Sequence, residues 1–123
     1  MRAEGLKPSP VGPMMHPEFG LWHSYRGALL FEDDIPLPGA PAVIHPCDDC
    51  VERPCLSACP VEAFAGAAFA LNACIGHQQS DMGEACRDGG CLARRACPVG
   101  AGHAYAPDHM GFLQAAFLKT FGG

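Results

Sequence analysis

Eight cysteines are the residues of this sequence best suited to chemistry, and all of them lie between residues 47 and 97. Two, four and three residues separate the members of the first group, which is Cys47, Cys50, Cys55 and Cys59. Eleven, four and five residues separate the members of the second group, which is Cys74, Cys86, Cys91 and Cys97. Because closely spaced thiolates are the ligands that soft metals prefer, this spacing predicts metal binding.

The two groups are versions of one unit. Each ends in the same tetrapeptide, Ala-Cys-Pro-Val, at residues 58–61 and again at residues 96–99. The gap of four residues also recurs, between Cys50 and Cys55 and between Cys86 and Cys91. This repetition indicates an internal duplication of a ligand set.

A tight loop with three thiolates can reach three corners of a cubane, and the fourth corner needs a distant cysteine. In bacterial two-cluster ferredoxins that distant ligand is the cysteine before proline in the opposite motif. The same arrangement here implies one [4Fe-4S] cluster on Cys47, Cys50, Cys55 and Cys97, and a second on Cys59, Cys74, Cys86 and Cys91. Pro60 and Pro98 would then turn the chain away after each shared cysteine.

Zinc is the alternative for the same cysteines, in a zinc-stabilised interaction module without redox activity. Zinc sites usually pair two Cys-x2-Cys units, whereas this sequence has only one, at Cys47 and Cys50. No cysteine stands apart from the ligand set beside a matching histidine, so the sequence predicts no catalytic residues and no enzyme.

The elements that must position these cysteines are short. A chain of 123 residues predicts one domain, and its 15 glycines and 12 prolines favour loops over long elements. We divide it into residues 1–46, a dicluster core over 47–107 and a C-terminal segment over 108–123. Short helical stretches are predicted over residues 61–65, 71–78 and 92–96, and an amphipathic helix over 108–121 that packs on the core through Met110, Leu113, Phe117 and Phe121.

The N-terminal segment contains two short apolar stretches, residues 11–15 and 27–31, which predict a β-hairpin or two edge strands. A proline-rich connector over residues 32–41 follows, and it is unsuited to a helix or an inner strand. The expected fold class is therefore α+β, with a bacterial dicluster ferredoxin-like core of short helices and loops between the hairpin and the C-terminal helix.

Charge and hydropathy limit the partners. The formal charge is −5 and no basic stretch is present, which argues against nucleic acid. No apolar run approaches the roughly 20 residues of a membrane span, and the N-terminus lacks the apolar run of a signal peptide. We therefore expect a cytoplasmic protein without membrane contacts, in which reduced cysteines are available for metal.

A resemblance extends beyond the cysteines, to residues 16–27, the proline-rich connector and the pattern of residues 47–60. Together these resemble the C-terminal ferredoxin-like part of epoxyqueuosine reductase and related corrinoid-dependent reductases, and more closely short bacterial ferredoxin-like proteins. The resemblance covers about residues 6–115 and implies two [4Fe-4S] clusters that relay electrons. Arg53 and Pro54 lengthen one cysteine gap, and the corrinoid-binding portion has no counterpart, so the reductase activity is not implied.

The sequence thus predicts an iron-sulfur protein that transfers single electrons to or from redox protein partners. The alternative within redox chemistry is an electron-relay subunit, or detached module, of a larger corrinoid- or flavin-dependent reductase. Trp22 and Tyr25 lie in the predicted hairpin, where a homodimer could bury them.

Overall fold

The computed structural model describes residues 4–36, 38–39 and 42–123. Within these ranges the chain forms five α-helices: α1 (Pro54–Ser57), α2 (Leu71–Gln79), α3 (Glu84–Gly89), α4 (Leu92–Arg95) and α5 (Pro107–Phe121). Single 3₁₀ turns occupy Asp81–Gly83 and Ala101–His103. Because α1 and α4 have only four residues each, neither is stable without packing against other parts of the chain.

The predicted N-terminal β-hairpin is wrong, and the predicted α+β fold class is wrong as well. The described residues contain no β-sheet, and their β-pairing consists of two isolated antiparallel bridges, Pro8 with Met14 and His16 with Gly20. Residues 27–31 stand in solvent, with Leu29 84% and Leu30 96% exposed. A strand there would have no buried face to hold it, so the described chain is built from helices and turns.

The proline-rich connector was predicted over residues 32–41, of which residues 37, 40 and 41 lie outside the described part of the chain. Its described residues adopt neither helix nor strand. This is the behaviour that proline imposes, since it supplies no N–H for a ladder or a helical hydrogen bond.

The short helices agree only in part with the sequence-based expectation. Helices α2 and α4 lie within one residue of the stretches predicted over 71–78 and 92–96. The stretch predicted over residues 61–65 forms turns instead, because Glu62 has a φ of 47°, which cannot continue a right-handed helix. Helices α1 and α3 were not predicted, although Pro54 at the start of α1 is a typical helix-initiating residue.

Helix α5 begins at Pro107, one residue before the predicted start, and the N–H of Gly122 closes it on the Leu118 carbonyl at 2.7 Å. It packs on α3. The approach is close at Gly111, where an added Cβ would lie 3.2 Å from the Asp88 carbonyl oxygen. Of the predicted apolar face, Met110, Leu113 and Phe117 are half-buried, whereas Phe121 is exposed.

The buried core joins the N-terminal turns to the cysteine region. Its members come from residues before 22 and from α1, α4 and the turn after α4: Val11, Met15, Leu21, Cys55, Ala93 and Cys97. Met15 and Leu21 are the largest fully buried side chains among the described residues. The N-terminal turns therefore cover the cysteine region without forming a sheet.

We refer to the described turns before residue 22 as the N-terminal cover. A close backbone contact between Gly20 and Gly100 fixes this cover in place. Both adopt the left-handed region, with φ of 57° and 69°. A Cβ on Gly20 would lie 1.9 Å from the Val99 carbonyl oxygen, and one on Gly100 would lie 2.3 Å from the Phe19 carbonyl carbon. The two backbones meet so closely that only glycine fits on either side.

We therefore expect Gly20→Ala to destabilise the protein by more than the roughly 1–2 kcal/mol of a left-handed alanine alone. Gly12→Ala is the matched control, since Gly12 also has a positive φ but an added Cβ there meets nothing within 4 Å. Urea unfolding of the two variants and of the parent gives the comparison. Equal losses for Gly20→Ala and Gly12→Ala would contradict the close backbone contact.

Candidate metal centres

The eight cysteines are free thiols that line two separate cavities. The first cavity is lined by Cys47, Cys50, Cys55 and Cys97. The second is lined by Cys59, Cys74, Cys86 and Cys91. No cysteine contributes to both, and the structure thus brings together the two sets of four that the sequence analysis assigned to two clusters. We refer to them as the first set and the second set.

The electrostatic interactions between the thiols follow the same division. Besides burial, Cys97, Cys55 and Cys50 raise the pKa of Cys47. In the second set, burial is again the main cause that raises the pKa of Cys74 and Cys91, and Cys86 adds to it in both. For the four thiols whose pKa is raised, Cys47, Cys55, Cys74 and Cys91, every interacting thiol belongs to the same set.

Helices α1 and α4 explain why each set takes one cysteine from the other half of the duplicated sequence. Cys55 lies in α1 and faces the first cavity, while Cys59 follows the helix and faces the second. Cys91 precedes α4 and faces the second cavity, while Cys97 follows that helix and faces the first. The two helices pack against each other. Each of them therefore holds one sulfur at either cavity.

The two Cys-Pro turns share their backbone conformation as well as their sequence. Ala58 has φ and ψ of −78° and −11°, and Ala96 has −74° and −13°. Four residues later, the equivalent positions Glu62 and Gly100 both have a positive φ, 47° and 69°. A left-handed glutamate is uncommon, so the turn geometry outweighs the residue preference there. The two duplicated units thus have similar backbone conformations as well as similar sequences.

The remaining cysteines lie on different kinds of structure. Cys74 is in α2 and Cys86 in α3, whereas Cys47 and Cys50 belong to a loop. His45 is buried just before this loop, and its Nε2 lies 3.1 Å from the Lys7 carbonyl oxygen. This histidine therefore ties the loop to the N-terminal turns.

Two N–H groups point at sulfurs of the second set. The backbone N–H of Ala63 donates to Cys59 Sγ at 3.3 Å. The side chain of Gln78 donates through Nε2 to Cys74 Sγ, also at 3.3 Å. Such donors favour the thiolate form, and in iron-sulfur proteins they tune the reduction potential. Sequence reasoning missed Gln78, although its position four residues after Cys74 in a helix was a usable signal.

Arg94 holds the N-terminal cover against α4. Its guanidinium lies 4.5 Å from the centre of the Trp22 ring and 4.9 Å from that of Tyr105, and its Nε donates to the Leu21 carbonyl at 3.1 Å. Trp22 is buried within the chain, so this aromatic residue does not need a dimer to cover it. Tyr25 is half exposed. The hairpin on which the predicted homodimer depended is not formed.

The chemistry of the lining fits a thiolate-bound metal group. Among the described residues, no histidine or carboxylate lines the first cavity. His77 is the one such residue that lines the second cavity. Among the described residues, no group of three or more His, Cys, Asp or Glu is placed so that it could hold a metal ion.

The cavities differ in size. The first measures about 20 Å³ and the second about 560 Å³. Insertion of a cluster at the first cavity therefore requires its walls to move outward. The loop with Cys47 and Cys50 contains no helix, so its movement would break no helical hydrogen bond. The second cavity has ample room.

Comparison of the chain with family models, with curated proteins and with solved structures finds no match. The resemblance to ferredoxin-like parts of reductases therefore stays a prediction from the motifs. Among the described residues, no helix combines the length and the apolar character needed to cross a membrane.

The raised thiol pKa values predict a pH dependence for the metal-free, reduced protein. Because burial raises the pKa of Cys91 above its ordinary value of 9.0, deprotonation costs more in the folded than in the unfolded chain. The stabilising contribution is complete below pH 9 and is lost as the pH rises through the folded-state pKa. We expect the urea midpoint to fall from about pH 8 to about pH 10.

Cys91→Ala should make this fall shallower. Val51→Ala is the control, because Val51 is 95% exposed and its truncation should leave the pH dependence unchanged. Unfolding followed by circular dichroism in a chelator and a reductant measures both variants. If Cys91→Ala and Val51→Ala showed the same slope against pH, burial of this thiol would not be the cause.

Proposed function

We propose that this protein holds two [4Fe-4S] clusters and carries single electrons between redox protein partners, without a substrate of its own. The observation that supports the proposal best is the division of eight free cysteines into two sets of four at two cavities. Each set takes one member from the opposite half of the duplicated sequence. This is the ligand pattern of bacterial two-cluster ferredoxins.

In this proposal the first set holds one cluster and the second set holds the other. A [4Fe-4S] cluster supplies a site that gains and loses one electron. The chain would bind it through thiolates, the N–H groups of Ala63 and Gln78 support two thiolates of the second set, and the N-terminal turns pack on Cys55 and Cys97 of the first. Ser9, Pro10 and Val11 line both cavities, so the two sites adjoin.

The first test is the inorganic content of protein purified without oxygen. We expect about eight irons and about eight acid-labile sulfides per chain, and an EPR signal after reduction. The 4Fe-4S proposal depends on this stoichiometry. Two zinc ions per chain without sulfide would overturn it and would favour the zinc-stabilised interaction module.

The crossover has its own test, in single substitutions to alanine, which cannot ligate iron. Cys97→Ala should lose about half of the iron, and its residual EPR spectrum should match that of Cys47→Ala. Cys59→Ala should likewise match Cys86→Ala. In each of these pairs, the two cysteines line the same cavity but belong to different sequence motifs. A residual spectrum of Cys97→Ala that matched Cys86→Ala would show that each motif keeps its own cluster.

The exposed segment of residues 27–36 favours a second candidate, the electron-relay subunit of a larger reductase. Leu29 and Leu30 are almost fully exposed, and Phe31 is 65% exposed. Acidic residues 32–34 follow directly, which would direct the segment to a basic surface. A contiguous apolar stretch of this kind is typical of an interaction site.

This candidate predicts a stable complex with a flavin or corrinoid protein. Leu29→Ser combined with Leu30→Ser should abolish the complex and leave the iron content unchanged, because neither residue lies near a cysteine cavity. Size-exclusion chromatography with iron analysis of each fraction gives both readings. Elution as a free chain from cells that express the intact partner would favour the independent carrier.

A further inference from the structure

The side chain of Arg94 attaches α4 to the end of the N-terminal cover. Its Nε donates to the Leu21 carbonyl at 3.1 Å, and its Nη2 donates to the same oxygen. The guanidinium also lies over the Trp22 and Tyr105 rings, whose centres are 5.4 Å apart. Two hydrogen bonds and two aromatic faces therefore hold this one cation.

A lysine could not make the same attachment. A guanidinium is planar and carries several N–H groups in a fixed fork, so it can lie against aromatic rings and still donate twice to one oxygen. An ammonium is a compact charge without a planar face. The attachment thus depends on the shape of the Arg94 cation as well as on its charge.

The backbone of Arg94 interacts with a cysteine of each set. Its carbonyl accepts a hydrogen bond from the N–H of Cys97 at 3.4 Å. Burial raises the pKa of Cys91, and the backbone N–H of Arg94 offsets part of that rise, as a donor to the thiolate does. Cys91 lines the second cavity and Cys97 lines the first. Arg94 therefore lies between the two sets and is bonded toward both.

Helix α4 is too short to keep these positions by itself. It consists of Leu92–Arg95, and a helix of four residues is not stable without tertiary contacts. Ala93 is buried in the core, and the side chain of Arg94 reaches the cover. Without the second attachment, the backbone between Cys91 and Cys97 would be free to move.

We infer that Arg94 is a positioning residue shared by the two sets of cysteines. Its side chain holds α4 against the N-terminal cover, and its backbone then keeps Cys91 at the second cavity and Cys97 at the first. Loss of the guanidinium displaces both thiols together. The consequence for metal rests on the proposed function: the ligand geometry of both clusters, and not of one, depends on this side chain.

The first test uses the metal-free, reduced protein, so it does not depend on the proposed function. Iodoacetamide modifies thiols that become accessible, and mass spectrometry gives the rate at each cysteine. We expect Arg94→Lys to raise the rates at Cys91 and Cys97 together by about tenfold, because charge-assisted hydrogen bonds are lost. Cys86 is the internal reference, since it is also buried but belongs to α3, and its rate should stay unchanged.

Arg95→Lys is the matched control, because Arg95 is the exposed neighbour of Arg94 in the same helix, and it should change no rate. Tyr105→Leu is a milder second variant that removes one aromatic face and keeps the arginine. We expect it to raise the rates at Cys91 and Cys97 by about threefold. An equal rise at Cys86 would indicate general loosening of the fold, and a rise at one of the two cysteines alone would limit Arg94 to one set. Either result would overturn the inference.

The second test is the EPR spectrum of the reduced, iron-loaded protein. Arg94→Lys should alter the signals of both clusters, which the spectra of Cys47→Ala and Cys86→Ala assign, whereas Arg95→Lys should alter neither. A change confined to one cluster would contradict the shared role. Iron and sulfide are measured on the same samples. A chain that binds neither would refute the proposed function, while the thiol rates would still decide the role of Arg94.

Discussion

The rest of the structure depends on the interleaving of cysteines around two cavities. Helices α1 and α4 have four residues each, and each places one sulfur at the first cavity and one at the second. Neither helix is long enough to be stable alone. Their stability therefore depends on their packing against each other, and a group held by their sulfurs would strengthen that packing. The fully buried large side chains are few, Met15 and Leu21 among the described residues. A chain with so small a core would gain stability from any metal group whose binding is coupled to folding.

The N-terminal turns then act as a cover that is fixed by backbone contacts and one cation. Gly20 meets the turn after Cys97 at a distance that excludes any side chain, and Arg94 lies between the Trp22 and Tyr105 rings. Arg94 belongs to α4, the helix that links Cys91 to Cys97. Displacement of the cover would therefore disturb one ligand of each cavity at once. The cover also packs on the buried Cys55 and Cys97, and its residues 9–11 line both cavities.

Sequence reasoning could group the cysteines because their spacing is local and because one tetrapeptide is repeated. It also placed α2, α4 and α5 closely, since their periodicity and their proline and glycine signals are local. The predicted hairpin is wrong because the apolar character of residues 27–31 does not lead to burial: Leu29 and Leu30 are almost fully exposed and have no face to pack on. The volume of the second cavity could not be predicted. Segments that are distant in the sequence, from residue 9 to residue 117, meet there, and no local pattern reports such a meeting.

Duplication supplied equivalent ligands, but the surroundings of the two sets have diverged. Beside the first set, burial raises the pKa of Cys47, and the exposed cation of Arg53 offsets part of that rise, while backbone N–H groups of Leu56 and Cys55 act on the Cys55 thiol. Beside the second set lie the N–H groups of Ala63 and Gln78, fixed dipoles at hydrogen-bond distance that salt does not screen. The fourteen residues between Cys59 and Cys74 contain Ala63 and provide much of the lining of the larger cavity. In the proposed function, two clusters of one type would therefore have different neighbours and different reduction potentials.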